Sequence, residues 1–306
     1  MNELERKRAA NLWEPFARKF PPVAKACAFA ASPGVGFGDI GGLEDAKDEL
    51  LTYACAATEP EIYGRWGTVA PTGLLLIGPD GSGKSLLAAA LATRTETPFL
   101  KIGVARLALQ LLHAGGKAGE LLQGWAEALG EIKHATVYFD ELDIAHDPSL
   151  GVPRIDLPIS QLSDFLLELI ETTMGVTEAL TLGGTSRPDT LSPIYFQPGR
   201  FERFVSVNPS VPADVIAALE IHAAAAEKRA GRHLFGKIDW QRAIEQNREA
   251  SIGRWIQLLH AVLRRKARCD AADDKPGEVT TEDVLSEVDR FKRATVRLPT
   301  TGGRYL

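Results

Sequence analysis

Cysteine is scarce in this chain. The 306 residues contain three, Cys27, Cys55 and Cys269, widely spaced and with no C-x-x-C pair. That excludes a disulfide framework and gives no zinc-ligand spacing. A reducing compartment fits. Long apolar runs are missing too, and nothing approaches the roughly 18–20 residues of a membrane-spanning helix. The charged start, Met1-Asn2-Glu3-Leu4-Glu5-Arg6, does not read as a secretion signal. The expectation is a cytoplasmic protein with no membrane partner. An excess of positive charge is also lacking: 35 Lys+Arg stand against 40 Asp+Glu, a net charge of -5. A general nucleic-acid binder usually carries a basic face, so nucleic acid is a poor fit. Basic clusters do occur at Arg6, Lys7, Arg8 and at Arg264, Arg265, Lys266, Arg268. Their plainest reading is a solvated helix face. What remains is ordinary for a folded protein, 45% hydrophobic and 25% charged. The length suggests about two domains.

Residues 1–20 read as an amphipathic helix, with Leu12, Phe16 and Phe20 at i, i+4, i+8 and Trp13 beside them. Pro15 weakens the middle of that pattern and Pro21-Pro22 ends it. The run Ser32-Pro33-Gly34-Val35-Gly36-Phe37-Gly38 reads as a linker. From residue 73 strands alternate with helices. Strands are expected at 74–77, 98–102, 135–139, 179–182 and 204–207, and helices at 86–92, 118–133 and 160–174. That order implies a parallel sheet covered on both faces. After Pro209 the strands stop. Helices are expected over 212–230, 239–248, 251–269 and 280–293, the last opened by Thr280-Thr281-Glu282-Asp283. Four parts follow: an N-terminal helix and linker over 1–36, an α/β domain over 37–210, a helical domain over 211–295, and a mobile tail over 296–306.

The strongest chemical signal is Gly78-Pro79-Asp80-Gly81-Ser82-Gly83-Lys84-Ser85, which matches G-x-x-x-x-G-K-[ST] between a predicted strand and a predicted helix. Its glycines let the backbone curl so that several N–H groups face one anion, and the helix adds its positive end. Lys84 brings a mobile charge to the β- and γ-phosphates, and Ser85 offers a hydroxyl to Mg²⁺. The second signal is Val137-Tyr138-Phe139-Asp140-Glu141, an apolar strand that delivers two carboxylates to the sheet edge where open α/β folds bind ligands. Asp140 can hold Mg²⁺ through its water shell. Glu141 can orient and deprotonate an attacking water. Alone, such a strand is common; its company with Lys84 gives it weight. The cofactors implied are ATP and Mg²⁺.

These motifs, with their neighbours, resemble the AAA family of ring-forming ATPases. The segment from Phe37 to Lys47, through Asp39, Ile40 and Gly41, looks like the family's entry segment, whose backbone holds the adenine. Thr185-Ser186-Arg187-Pro188-Asp189 is similar to the sensor-1 segment. Gly199-Arg200-Phe201-Glu202-Arg203 resembles the run that carries arginine fingers. Ile221-His222 resembles the lid histidine near the ribose and adenine, and Ser251-Ile252-Gly253 occupies the sensor-2 turn. The likeness covers residues 37–295. It implies an AAA+ P-loop NTPase domain with a parallel sheet, followed by a small all-helical lid. It also implies nucleotide contacts from Asp39, Ile40, Gly41, Asp80, Gly81, Ser82, Gly83, Lys84, Ser85, Leu86, His222 and Gly253. Catalysis is expected from Lys84, Asp140, Glu141, Ser186, Arg200 and Arg203, with Ser85 and Asp140 on the metal. Arginine fingers act on the neighbouring subunit's ATP, so the expected partner is the chain itself, in a ring of six. Protein clients are the expected substrates.

The departures from the family pattern are specific. Ser186 stands where sensor 1 carries Asn, and a hydroxyl reaches less far toward a lytic water. His113-Ala114-Gly115 stands where a pore loop carries an aromatic, which weakens the grip on a threaded polypeptide. Arg254 follows Gly253 and reads either as a surface charge or as an added phosphate contact. The ending Gly303-Arg304-Tyr305-Leu306 resembles the Gly-Gln-Tyr-Leu tail of bacterial proteasome-activating ATPases, which implies docking of Tyr305 and Leu306 on a proteolytic chamber. No His-Glu-x-x-His occurs in the sequence, so a metalloprotease site is not encoded in it. Rival readings are a nucleic-acid remodeller such as a helicase loader, and a slow nucleotide-controlled scaffold. The N-terminal helix is left with two roles, recruitment of clients or packing against its own ATPase domain.

Overall fold

The computed structural model describes residues 3–59, 61–111, 118–143, 159–176, 179–272 and 275–296. His113 and its neighbours, and the tail with Tyr305 and Leu306, lie outside the described residues. The described residues form two compact units. One comprises Met1–Asp39 with Glu44–Asn208, the other Ile40–Leu43 with Pro209–Leu306.

The first unit is built on a six-stranded sheet. In chain order its strands are β1 (Cys27–Ala30), β2 (Gly73–Ile77), β3 (Phe99–Gly103), β4 (Thr136–Asp140), β5 (Leu180–Thr185) and β6 (Arg203–Ser206). They lie side by side as β1-β3-β4-β5-β2-β6. Every neighbouring pair is parallel except β1 with β3. The sheet is therefore mostly parallel, with one antiparallel edge strand that the hydrophobic pattern did not announce. β2, β4 and β5 are almost wholly buried, as strands covered on both faces must be. Because β5 sits between β2 and β4, the three carboxyl ends lie next to one another at one edge. The turns after β2, β4 and β5 carry Gly78–Ser85, Asp140-Glu141 and Ser186 respectively.

Eight helices belong to this unit among the described residues: α1 (Glu3–Lys19), α2 (Pro21–Ala26), α3 (Glu44–Thr58), α4 (Glu61–Arg65), α5 (Lys84–Arg94), α6 (Val104–Leu111), α7 (Ala118–Ile132) and α8 (Ile159–Met174). The N-terminal segment is not set apart from the α/β unit. Trp13, Phe16 and Phe20 join Trp125 of α7, Leu100, Ile102 and Phe139 in one buried core. Trp13 stacks on Phe29 of β1 at 5.6 Å and meets Trp125 edge-on at 6.1 Å. Burial of this aromatic stripe explains why α1 runs through Pro15, where a missing N–H and a ring clash weaken an isolated helix. Pro21-Pro22 ends α1, and the same two residues open α2. Proline fits a first helical turn because its absent N–H would have had no helical partner there.

The second unit is helical: α9 (Ala213–Ala230), α10 (Trp240–Glu245), α11 (Ile252–Ala271) and α12 (Thr281–Val296). Val215, Leu219, Trp255, Leu258, Leu259 and Val288 fill its own core. Side chains mark the helix starts. Asp239 accepts from the Arg242 N–H at 2.9 Å, and Ser251 accepts from the Arg254 N–H at 3.4 Å. Thr280 and Asp283 cap each other: the Thr280 N–H donates to Asp283 Oδ2 at 2.8 Å, and the Asp283 N–H to Thr280 Oγ1 at 3.3 Å. Residues 40–43 belong here rather than with the sheet. The Leu43 N–H donates to Asp214 Oδ2 at 3.3 Å, and Gly41 lies so close to α9 that a Cβ would stand 2.1 Å from the Ala218 nitrogen. Among the described residues, no helix is long and apolar enough to cross a membrane.

Candidate functional site

The loop after β2 turns on glycines with positive φ, Gly81 at 73° and Gly83 at 109°. Side chains other than glycine resist that backbone. Gly83 caps α5 and offers no side chain to its first-turn N–H groups. Those donors have no acceptor within the helix, so the loop is fitted to an anion. Asp80, Gly81 and Leu86 are exposed, whereas Ser82 is buried. Ser82 Oγ has no hydrogen-bond partner. Lys84 curls back and donates to the carbonyls of Gly78 at 2.7 Å and Pro79 at 3.0 Å. Burial pulls its ammonium below the ordinary lysine range, against the opposing pull of Asp80, Asp140, Asp143 and Glu141.

Ser85 on α5 meets Asp140 at the end of β4: its Oγ donates to Asp140 Oδ2 at 3.3 Å. A hydroxyl and a carboxylate are hard oxygen donors of the kind Mg²⁺ takes, so Ser85 and Asp140 fit that ion. Three residues that the sequence reading did not single out complete the cluster. Lys101, on neighbouring β3, lies 2.7 Å from Asp140 Oδ2 and 3.0 Å from Ser85 Oγ. Tyr138 donates to the other carboxylate oxygen of Asp140 at 2.9 Å. Tyr138 needs space on β5, and Gly184 supplies it, since a Cβ there would stand 2.0 Å from the Tyr138 hydroxyl. Period-2 alternation along β3 and β4 could have pointed Lys101 and Tyr138 at one face, but only strand order makes them neighbours of Ser85.

Glu141 follows at φ 61°, in the left-handed region. Burial raises its carboxyl above the usual carboxylate range, then the charges of Asp140, Asp143 and Asp80 add to that, with Lys101 opposing. A carboxylate poised in this way is suited to take a proton from water. Asp143, the third residue, is 3% exposed. It accepts from Thr185 Oγ1 at 3.2 Å, from Ser186 Oγ at 3.4 Å and from Arg187 Nε at 3.0 Å. It thus ties the segment after β5 to the segment after β4. The Ser186 hydroxyl has Asp143 as its acceptor.

Arg200 and Arg203 are both engaged within their own chain. Arg200 pairs with Glu171 through Nε at 2.7 Å, and its Nη1 donates to the Ile194 carbonyl at 2.6 Å and to Gln197 at 2.7 Å. Its side chain is only 16% exposed. Arg203 opens β6, pairs with Glu49 of α3, and is 59% exposed.

Residues 74–209 match the family model described as "ATPase family associated with various cellular activities (AAA)". Over that stretch the chain is similar to an AAA ATPase domain. A proteasome-activating nucleotidase of Methanothermobacter thermautotrophicus is 29% identical over 277 residues, covering 88% of this chain and 63% of that protein. Another, of Methanocella arvoryzae, is 32% identical over 199 residues, 63% of this chain and 46% of the relative. An ATP-dependent zinc metalloprotease FtsH of Thermobaculum terrenum is 33% identical over 197 residues, 62% of this chain and 29% of the relative. The chain spans about half the length of the curated relatives it matches.

The sheet-bearing unit brings Asp80–Leu86, Asp140, Glu141 and Ser186 to the one sheet edge. The remaining expected residues sit on other segments. Asp39 closes a short turn in the first unit, accepting from the Gly36 N–H at 2.7 Å. Ile40, Gly41, His222 and Gly253 belong to the second unit. There His222 meets His260 edge-on at 6.2 Å. Burial lowers the His222 imidazole below its usual value, with His260 and Arg229 pushing the same way. Gly253 lies in the first turn of α11. Arg254 stacks over Phe291 at 4.6 Å and donates to Gln257 at 2.9 Å. Among the described residues no cluster of three or more His, Cys, Asp or Glu is arranged for a metal ion.

Proposed function

We propose that this protein hydrolyses Mg²⁺-ATP as a subunit of a homo-hexameric ring that unfolds or remodels protein clients in the cytoplasm. The observation that carries this reading is the convergence of Lys84, Ser85, Asp140 and Glu141 at the carboxyl ends of β2 and β4, which flank β5. Backbone N–H groups of the loop from Asp80 to Leu86 cradle the phosphates, and Lys84 bridges the β- and γ-phosphoryl oxygens. Ser85 and Asp140 hold the metal. When bound there, Mg²⁺ would supply positive charge against the phosphates. Glu141 takes the proton from the attacking water. Asp39, Ile40, Gly41, His222 and Gly253 are assigned to the adenosine end by resemblance. Arg200 and Arg203 of an adjacent copy stabilise the transferring phosphoryl group, which requires each to leave its present carboxylate partner. The names of the relatives support clients fated for proteolysis. Docking on a protease chamber through Tyr305 and Leu306 extends the same reading.

The test is ATP turnover by the native chain and by Glu141→Gln, with the oligomer followed by light scattering in saturating ATP. Turnover should fall at least a hundredfold, within the range for removal of a positioned base, and a ring should persist. Equal rates, or a native chain that stays monomeric, refute the proposal. A second reading is favoured by one contact, that of Ser186 with Asp143. A sensor hydroxyl already engaged contacts water less, so a slow nucleotide-controlled scaffold fits as well. Low native turnover with nucleotide-dependent assembly would select it.

A further inference from the structure

The Ser85–Asp140 pair is already bridged by a cation belonging to the protein. Lys101 Nζ stands 3.0 Å from Ser85 Oγ and 2.7 Å from Asp140 Oδ2, between the two oxygens assigned to the metal. Asp140 does not need it to fill both oxygens, because Tyr138 satisfies Oδ1 and Ser85 reaches Oδ2. A lysine ammonium is a compact point charge on a flexible stem, and this one is a third exposed, so it can withdraw without breaking the core. Mg²⁺ and an ammonium sharing the same two ligands would repel strongly. Only one of them fits at a time.

We propose that Lys101 is a built-in counter-cation for the metal seat. With no metal bound, its ammonium holds Ser85 and Asp140 together and lends positive charge to the phosphates; when Mg²⁺ arrives, Lys101 yields the seat. The inference rests on the nucleotide-binding reading above and adds a consequence: nucleotide binding depends less on Mg²⁺ than it would without Lys101.

The experiment measures ADP affinity by calorimetry on the full chain, in EDTA and in excess Mg²⁺, for native protein, Lys101→Met and Lys101→Arg. Lys101→Met should weaken metal-free ADP binding about tenfold, the scale of one charge-assisted hydrogen bond, and leave the Mg²⁺-loaded affinity near native. The Mg²⁺ concentration for half-maximal binding should fall. Lys101→Arg should keep most of the metal-free affinity. Equal weakening under both conditions would mark a general charge effect and overturn the proposal, as would no change in either. Thermal melts check folding, and Lys101→Gln replaces Lys101→Met if that variant does not fold. Failure of the native chain to bind ADP under either condition overturns the nucleotide reading, and this inference with it. An unchanged affinity ratio with binding intact overturns the Lys101 inference alone.

Discussion

Replacing Trp13 tests whether the N-terminal helix is part of the ATPase domain or an arm laid upon it. Trp13 is 8% exposed and lies within 5.2 Å of Phe16, 5.6 Å of Phe29 and 6.1 Å of Trp125, measured between ring centroids. Trp→Ala in a core costs about 3–5 kcal/mol through lost transfer energy and the cavity left behind. Three aromatic neighbours add to the loss, while the position at the rim of the core lets the site partly collapse. We expect about 3 kcal/mol. For a unit of this size that lowers the melting temperature by about 10 °C, at roughly 2–4 °C per kcal/mol. The assay is thermal and urea unfolding by far-ultraviolet circular dichroism, with Leu4→Ala as the control. Leu4 lies on the same helix but is 78% exposed, so its loss should change stability by less than about 0.5 kcal/mol. The chain has two units, and two-state behaviour holds unit by unit. Only the transition of the sheet-bearing unit should move. A Trp13→Ala variant that loses less than about 1 kcal/mol, or no more than Leu4→Ala, would refute the claim that α1 is a structural part of that unit.

Two further predictions concern the site and the helical unit. Gly184→Ala puts a Cβ against the Tyr138 hydroxyl and should cost about 2–3 kcal/mol by overpacking; adding Tyr138→Phe removes the clashing oxygen and should recover part of it, and denaturant midpoints that show no recovery would refute the packing argument. His222 titrates below the usual imidazole value because it is buried, with His260 and Arg229 alongside. The folded helical unit then binds fewer protons than the unfolded chain, so stability is lost as pH falls through the ordinary histidine value of about 6.5 toward the lower folded value, and is regained above it. Melting curves at pH 7.5 and 5.5 should show this drop, and His222→Gln should flatten it; an identical drop in both proteins would exclude His222 as its source.

Much of the fold was legible residue by residue. The strand at 74–77, the helix at 118–133 and the capped start at Thr280 come from local periodicity and capping chemistry, which need only neighbours in the chain. β1 was not legible. Its four residues, Cys-Ala-Phe-Ala, are too short and too mixed in burial to show a period, and they form a strand because β3 offers an open edge. Pro15 misleads for a related reason: a local penalty is outweighed by burial of Trp13 and Phe16 against residues over a hundred positions away. Residues 40–43 lie in sequence between β1 and α3 of the sheet-bearing unit, yet Asp214 and the backbone of α9 claim them.

The candidate site divides along the same line. Gly78–Ser85 and Asp140-Glu141 are contiguous motifs, and their residue types and spacing already state which groups can bind phosphate, hold a cation and take a proton. Lys101, Tyr138 and Asp143 carry no motif of their own. Tyr138 reaches Asp140 along its own strand, but Lys101 and Asp143 enter because parallel pairing sets β3 beside β4 and β4 beside β5, placing a lysine on that carboxylate and a buried aspartate on the segment after β5. Chemical capacity is a property of side chains and their order along the chain. Which charges face each other across a few ångströms is a property of strand order, and that is settled only when distant segments pack.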